Sequence, residues 1–437
     1  MISRKIFFFS KSIMLYGIAA GLNKGISILY IPFLTKFLTL SQVGIFSIIQ
    51  TIAQILSAVL SMNGASAIIR EGANDDIKAI ELLNRFLLNT LILCSVFIPI
   101  VYFFDGTEPK EYFIASILTL SEAAHLLLLS WLRVKDKVNH YLIFVSLKSL
   151  GILVFFLIVL YNHMPFIYIF VVQILWNLTL SFFYIFIIHS KAKYRGIFKW
   201  DTAFNSILAY SFFLIPHNIA QWIMSGSDKI LIKYIIDNKS VGMYTISYTL
   251  CLLLMLLNSG LAIGLPVFII KNYKSWISKK NRLIFLIFYS IASIIIYILI
   301  YFILYIDKNY FVFIKFYDKI IYDLIIWIFS GIYFLGSYYI YANIIFYHRK
   351  TKVISAITLF SAIFNIVLSF YLIYEYGIKG AAIGTFFTYL IYYLLTFFFA
   401  TRLENEIKIE NVYQELLVHC ITILIFFNGY HILGKYI

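Results

Sequence analysis

An ammonium group halfway along an apolar run of membrane-spanning length is the first chemical feature of this chain. Lys24 follows Asn23 inside the stretch 12–46, which is otherwise apolar or neutral up to Lys36, and a bare charge there costs several kcal/mol. A lysine held in such a place can pair with phosphate as a point charge; a carboxylate partner or a stem that reaches the interface is the other reading. Gly17, Gly21 and Gly25 recur at i, i+4 and i+8. At 100° per residue Lys24 lies close to the Gly17/Gly21 side of the helix, a face that admits a second helix and so looks into the protein.

More ionisable groups lie inside apolar runs. Glu122 and His125 share a helix face at i, i+3. Counted back from the inner surface, Glu122 lies about 13 Å deep and Lys148 about 10 Å. Those depths permit an ion pair, and a structural pair and a substrate contact fit them equally. Further on come Pro216, His217, Gln221, Ser225 and Asp228. His217, Gln221 and Asp228 fall within about 40° of one another on a helix and form one polar stripe, beside a proline that loosens the backbone. Such a stripe can line or gate a cavity, and its Asp/His pair can take up a coupling proton or cation; an interhelical hydrogen-bond stripe is the alternative. Arg70, Arg85 and Arg349 stand at span ends, where topology alone would put them and where they would also make a vestibule for anionic headgroups. Asn258, Asn343 and Asn365 are amides at membrane depth, the usual glue between helices.

The elements that must position these groups follow from composition. Of 437 residues, 62% are hydrophobic and 13% charged, against about 45–50% and about 25% in soluble domains. The chain is an all-α polytopic membrane protein. Its net charge of +15 resides in short connectors, which excludes a nucleic-acid-binding face. Cys94, Cys251 and Cys420 lie in apolar runs with no CxxC and no His/Cys cluster, so neither disulfide, metal nor cofactor is indicated. The basic start 1–12 imitates a signal peptide, but the run that follows is interrupted at Asn23–Lys24 and reads as a retained first span.

A hydrocarbon core of about 30 Å needs about 20 helical residues. Spans are predicted at 13–34, 42–62, 83–104, 112–132, 141–161, 165–188, 206–224, 243–268, 283–305, 321–346, 353–374 and 380–400. These twelve divide into an N-terminal six-helix lobe (1–189), a cytoplasmic linker (190–205) and a C-terminal six-helix lobe (206–400). The remainder, 401–437, is an acidic amphipathic connector and an apolar run at 416–433, either an extra helix across the membrane or one along its surface. With the N-terminus inside, the segments on that side, span ends included, hold 24 Lys and Arg and those outside hold 9, the asymmetry expected of cytoplasmic loops. Outer connectors are short, the longest near 225–240 and 306–320, which disfavours a membrane-embedded glycosyl-transferring or polymerising enzyme.

An internal repeat supports the two lobes. Val43-Gly44-Ile45-Phe46 aligns with Val241-Gly242-Met243-Tyr244 at an offset of 198 residues, and duplicated halves flanking a site are a common transporter plan. A chance match in low-complexity sequence is the other reading.

Three stretches carry a family resemblance. They are Lys24-Gly25 through Ile31-Pro32-Phe33-Leu34-Thr35-Lys36 with Leu40-Ser41-Gln42-Val43-Gly44-Ile45-Phe46; Ser227-Asp228-Lys229 before Val241-Gly242-Met243-Tyr244; and Tyr376-Gly377-Ile378-Lys379-Gly380-Ala381-Ala382-Ile383-Gly384-Thr385. Together they resemble the polysaccharide repeat-unit flippases, including the Wzx-type O-antigen flippases, of the superfamily that also holds multidrug MATE exporters and lipid II flippases. The resemblance implies a non-enzymatic carrier in the bacterial inner membrane, in O-antigen, lipopolysaccharide or capsule biosynthesis. Its substrate would be an undecaprenyl-pyrophosphate-linked oligosaccharide, with a polysaccharide polymerase and a chain-length regulator as partners and a proton or Na+ as coupling ion. On that basis the expected cavity residues are Lys24, Asn23, Glu122, His125, Lys148, His217, Gln221 and Asp228, with Arg70, Arg85 and Arg349 as inner vestibule. A cation-coupled multidrug exporter of the same fold is the alternative; it should present more carboxylates than lysines, and Lys24 weighs against it.

Overall fold

The computed structural model describes residues 21, 25–26, 28–30, 32–72, 76–107, 110–134, 138–191, 202–271, 273–311, 319–404 and 412–433. The expected first span, with Asn23 and Lys24, lies mostly outside these residues, as does most of the 190–205 linker. Backbone amides and carbonyls in hydrocarbon must be satisfied within their own segment, so an apolar chain of this kind is helical. Among the described residues there is no strand. In order the helices are α1 (Leu40–Leu60), α2 (Gly64–Glu71), α3 (Asp76–Phe104), α4 (Glu111–Val134), α5 (Val138–Tyr161), α6 (Tyr168–Lys191), α7 (Thr202–Ile235), α8 (Asn238–Lys271), α9 (Tyr273–Ile277), α10 (Lys279–Ile306), α11 (Lys319–Tyr347), α12 (Thr351–Tyr376), α13 (Ile378–Leu403) and α14 (Val412–Leu433). All but α2 and α9 are long and apolar enough to cross a membrane, twelve in all among the described residues. The protein is a multi-pass membrane protein, and its C-terminal run is a further long helix.

Eleven of these helices coincide with predicted spans. α7 differs most at its end: it is expected to end near 224 and runs to Ile235, so that only residues 236–237 separate it from α8. The expected outer connector at 225–240 is therefore mostly helix. Lys229 and Lys233, four residues apart, sit on one face of its last turns, and their long stems let the helix continue past the charges.

The chain forms two compact units, residues 45–222 and residues 223–437 together with 1–44. In the first, α1, α4 and α6 share a core of Ile45, Ile49 and Ala53 against Ile114, Ala115, Leu118 and Phe170. The i, i+4, i+8 spacing on α1 puts one apolar stripe on the partner helices. Phe46 stacks on Phe170 at 5.7 Å.

In the second unit α11 is the central helix, buried along nearly its whole length and packed by α8, α13 and α14. Two backbone features fix its neighbours. Gly377, at φ +60° and ψ −144°, turns α12 directly into α13, a conformation open only to glycine. A Cβ on Gly44 would land on the Asn238 carbonyl, and one on Gly242 on the Leu40 carbonyl. Asn238 and Leu40 are themselves separated by the repeat offset of 198 residues, so the two matched Val-Gly steps meet reciprocally, backbone against backbone.

The C-terminal helix is locked onto α10 and α11. Arg282 Nη2 lies 3.2 Å from Glu415 Oε1 with both side chains almost fully buried. Tyr333 hydroxyl meets His419 Nδ1 at 2.8 Å, Tyr297 donates to the Phe426 carbonyl at 3.1 Å, and Tyr430 donates to Asp323. Arg282 and Glu415, assigned from sequence to a basic and an acidic connector, are instead buried partners. The pairing explains why each is tolerated at that depth.

Candidate functional site

Two polar clusters are built inside the apolar helices, one in each unit. In the first unit, α4, α5 and α6 bring together Glu122, Lys148 and Asn177. Lys148 Nζ lies 2.7 Å from Glu122 Oε2, and Asn177 Nδ2 donates to the other carboxylate oxygen at 3.0 Å. One turn away on α6, Gln173 exchanges amide hydrogen bonds with Gln50 of α1. The spacing of Gln173 and Asn177 sets both amides on the buried face of α6. Glu122 and Lys148 side chains keep 16% and 11% of their accessibility, so the pair is charge-balanced without being sealed. His125 lies on the same side, its ring 4.5 Å from that of Phe144.

In the second unit Asp228 of α7 is the hub. Thr385 of α13 donates to Oδ2 at 2.6 Å and Tyr244 of α8 at 3.0 Å. Ser369 of α12 donates to Oδ1 at 3.0 Å. Around them Ser227 donates to Asn365 Oδ1 at 2.9 Å, and Asn365 donates to Thr388 at 3.0 Å. Asn365 and Ser369 on α12, and Thr385 and Thr388 on α13, are each about one turn apart, so two adjacent helices present oxygen-rich faces to one carboxylate. Among the described residues no three His, Cys, Asp or Glu side chains cluster to hold a metal ion. An oxygen-only set of this kind suits a proton or a hard cation rather than zinc or copper.

The other sequence candidates separate. His217 Nε2 and Gln221 Nε2 lie 3.3 Å apart, but His217 and Asp228 are eleven residues apart on one helix, about 16 Å along its axis. They therefore make no Asp/His pair, although they share a stripe. Arg85 is buried against Glu81 and the Phe204 ring. Arg70 lies over Tyr210 at 4.1 Å and beside Glu71. Arg349 is exposed in the turn between α11 and α12, at φ +57°. The sequence reading missed Tyr244, Ser369, Thr385 and Asn177 as polar partners; single hydroxyls and amides in apolar helices are ordinary, and only the spacing of Ser369 with Asn365, Thr385 with Thr388 and Asn177 with Gln173 marks three of them.

A family model described as polysaccharide biosynthesis protein matches residues 9–269. The chain belongs to that family. Among solved structures, this polysaccharide biosynthesis protein shares its fold with the lipid II flippase MurJ in an inward closed conformation, at a TM-score of 0.68 and 15% identity, covering 94% of this chain and 98% of that one. It is similar in the same way to the MATE multidrug transporter DinF-BH, at a TM-score of 0.61 and 12% identity over 92% and 97%. An inward-facing MATE family transporter of the MOP superfamily matches with a TM-score of 0.58 and 15% identity over 90% and 98%. No curated protein matches the sequence.

Proposed function

We propose that this protein is a flippase that moves an undecaprenyl-pyrophosphate-linked oligosaccharide repeat unit from the inner to the outer leaflet of the bacterial inner membrane, in O-antigen or capsule biosynthesis. It would work by alternating access between the two six-helix lobes, 1–189 and 206–400, with its N-terminus cytoplasmic. The observation that carries this is the match to the polysaccharide biosynthesis family on a fold shared with a lipid II flippase. The chemistry agrees with it. A pyrophosphate headgroup needs cations and hydrogen-bond donors at membrane depth, and Lys24, Lys148 and Asn177 supply them. Asn23, His125, His217 and Gln221 add neutral polar contacts for sugars. Arg70 and Arg349 serve as the entry vestibule, and Asp228 takes up the coupling proton or Na+.

A polymerase and a chain-length regulator would consume the product on the far side. Deleting the protein and analysing lipid-linked sugars tests the proposal. It expects unpolymerised repeat units to build up on the inner leaflet; unchanged lipid pools with altered drug sensitivity would replace the flippase by a multidrug exporter of the same fold.

A further inference from the structure

Lys148, Arg85 and Arg282 each meet a carboxylate within their own unit. Lys229 does not. It lies six residues before the end of α7, inside the segment long and apolar enough to span the membrane, and among the described residues no carboxylate comes within ion-pair distance of it. Its ammonium stands 5.5 Å from the centre of the Tyr248 ring. That contact supports the charged form, and among the described residues no acceptor takes its N–H donors. The helix dipole favours cations over the last turn only, which accounts for Lys233 and not for Lys229.

The neighbouring residue gives the site a control. Asp228 turns away from Lys229, its oxygens taken by Thr385, Tyr244 and Ser369, yet the two charges remain adjacent on one helix. Tyr244 and Tyr248, one turn apart on α8 with ring centres 6.1 Å apart, contact one charge each. Tyr244 holds Asp228 through its hydroxyl, and Tyr248 supports Lys229 through its face.

We propose that Lys229 binds a phosphate-type anion, and that its affinity for that anion is set by the charge state of Asp228. In the setting of the flippase reading, on which this inference rests, the anion is the pyrophosphate of the lipid-linked substrate. An ionised Asp228 reduces the positive potential that an anion meets at Lys229. Uptake of a proton or an alkali cation by Asp228 removes that opposition, so cation and anion assist each other. By linkage the anion raises the affinity for the cation by the same factor. The groups facing the pair are Tyr244 and Tyr248 of α8, Asn365 and Ser369 of α12, and Thr385 and Tyr389 of α13. None of these carries a charge at neutral pH; Lys233, one turn beyond Lys229 on the same face of α7, adds a second positive charge, and Asp228 is the negative charge beside them whose state sets the effect.

The test uses the full chain in nanodiscs of zwitterionic lipid, titrated calorimetrically with inorganic pyrophosphate in Na+ and in choline, at pH 6 and pH 8. The wild type should bind more tightly in Na+ or at pH 6 than in choline at pH 8. Lys229→Gln should weaken binding about tenfold, and Lys229→Arg should restore it. Asp228→Asn should bind tightly under every condition. Wild-type binding that ignores both cation and pH, or Lys229→Gln binding as the wild type does, overturns the proposal, and the wild-type titration needs no variant to fold. Phosphatidylglycerol added to the disc should leave pyrophosphate binding unchanged; displacement would replace the substrate by ordinary lipid headgroups as the source of the anion. If Lys229→Gln binds normally while deletion still causes repeat units to accumulate, this inference fails and the flippase reading stands. Unchanged lipid pools on deletion remove the flippase reading itself.

Discussion

Removing one charge of the Arg282–Glu415 pair should release the C-terminal helix. Nε and Nη2 of Arg282 both lie 3.2 Å from Glu415 Oε1, and the side chains retain 1% and 2% of their accessibility. Glu415→Gln leaves a guanidinium without its carboxylate in an apolar setting, at a cost of about 3–5 kcal/mol. At about 1.4 kcal/mol per factor of ten, undocking of α14 becomes roughly a hundred- to a few thousand-fold more populated. The remaining ties, Tyr333–His419 and Tyr297 to the Phe426 carbonyl at about 1 kcal/mol each and Tyr430 to the Asp323 carboxylate at about 1.5–3 kcal/mol, do not remove the stranded charge. Hydrogen–deuterium exchange of α14 peptides in detergent reads this opening directly. Replacing both partners, Arg282→Met with Glu415→Leu, should return exchange to near the wild-type rate, because apolar side chains of similar volume substitute for a buried pair at little cost. Exchange within threefold of wild type in the single variant, or a double variant worse than the single, would refute the reasoning.

Three further outcomes are expected. Asp228→Ala should lower the melting temperature in detergent well below that of Asp228→Asn, because it strands the hydroxyl donors of Thr385, Tyr244 and Ser369, at about 1–3 kcal/mol for each unsatisfied group. In the first unit, Glu122→Gln and Lys148→Met should each destabilise, and a double-mutant cycle by thermal unfolding should return a coupling energy of about 1–3 kcal/mol, since the pair is only partly buried. Asp105, just beyond the end of α3, is raised by burial but held below the usual carboxylate range overall by hydrogen bonds from Thr107 and from the backbone amides of Phe113, Thr107 and Tyr112. Its folded pKa is depressed, so its stabilisation is complete above about pH 4 and lost as pH falls through the folded value. Peptides around residues 105–113 should lose exchange protection on acidification, and Asp105→Asn should show that loss at neutral pH.

The spans were legible because each is an uninterrupted apolar run of membrane length, and the Val-Gly repeat was legible because close backbone contact at Gly44 and Gly242 tolerates no side chain. The end of α7 was not. Lys229 and Lys233 look like a connector in sequence, since nothing local shows that one of them rests on Tyr248. Arg282 and Glu415 were hidden for the same reason, their partners lying 133 residues apart. Glu122 and Lys148 could be matched by depth because each is an isolated charge in its span. The partners of Asp228 could not, because Thr385, Ser369 and Tyr244 are ordinary residues of apolar helices until the fold sets them around one carboxylate.

The central claim is translocation of a pyrophosphate-linked oligosaccharide, and reconstitution tests it most directly. Purified protein in vesicles carrying a polyprenyl-pyrophosphate-linked oligosaccharide should expose inner-leaflet substrate to an added, membrane-impermeant glycosidase within minutes, faster than protein-free vesicles do. It should do so less well with Asp228→Asn, whose neutral amide cannot alternately take up and release a proton or cation. Exposure no faster than in protein-free vesicles, from protein shown to be folded and inserted, would contradict the account.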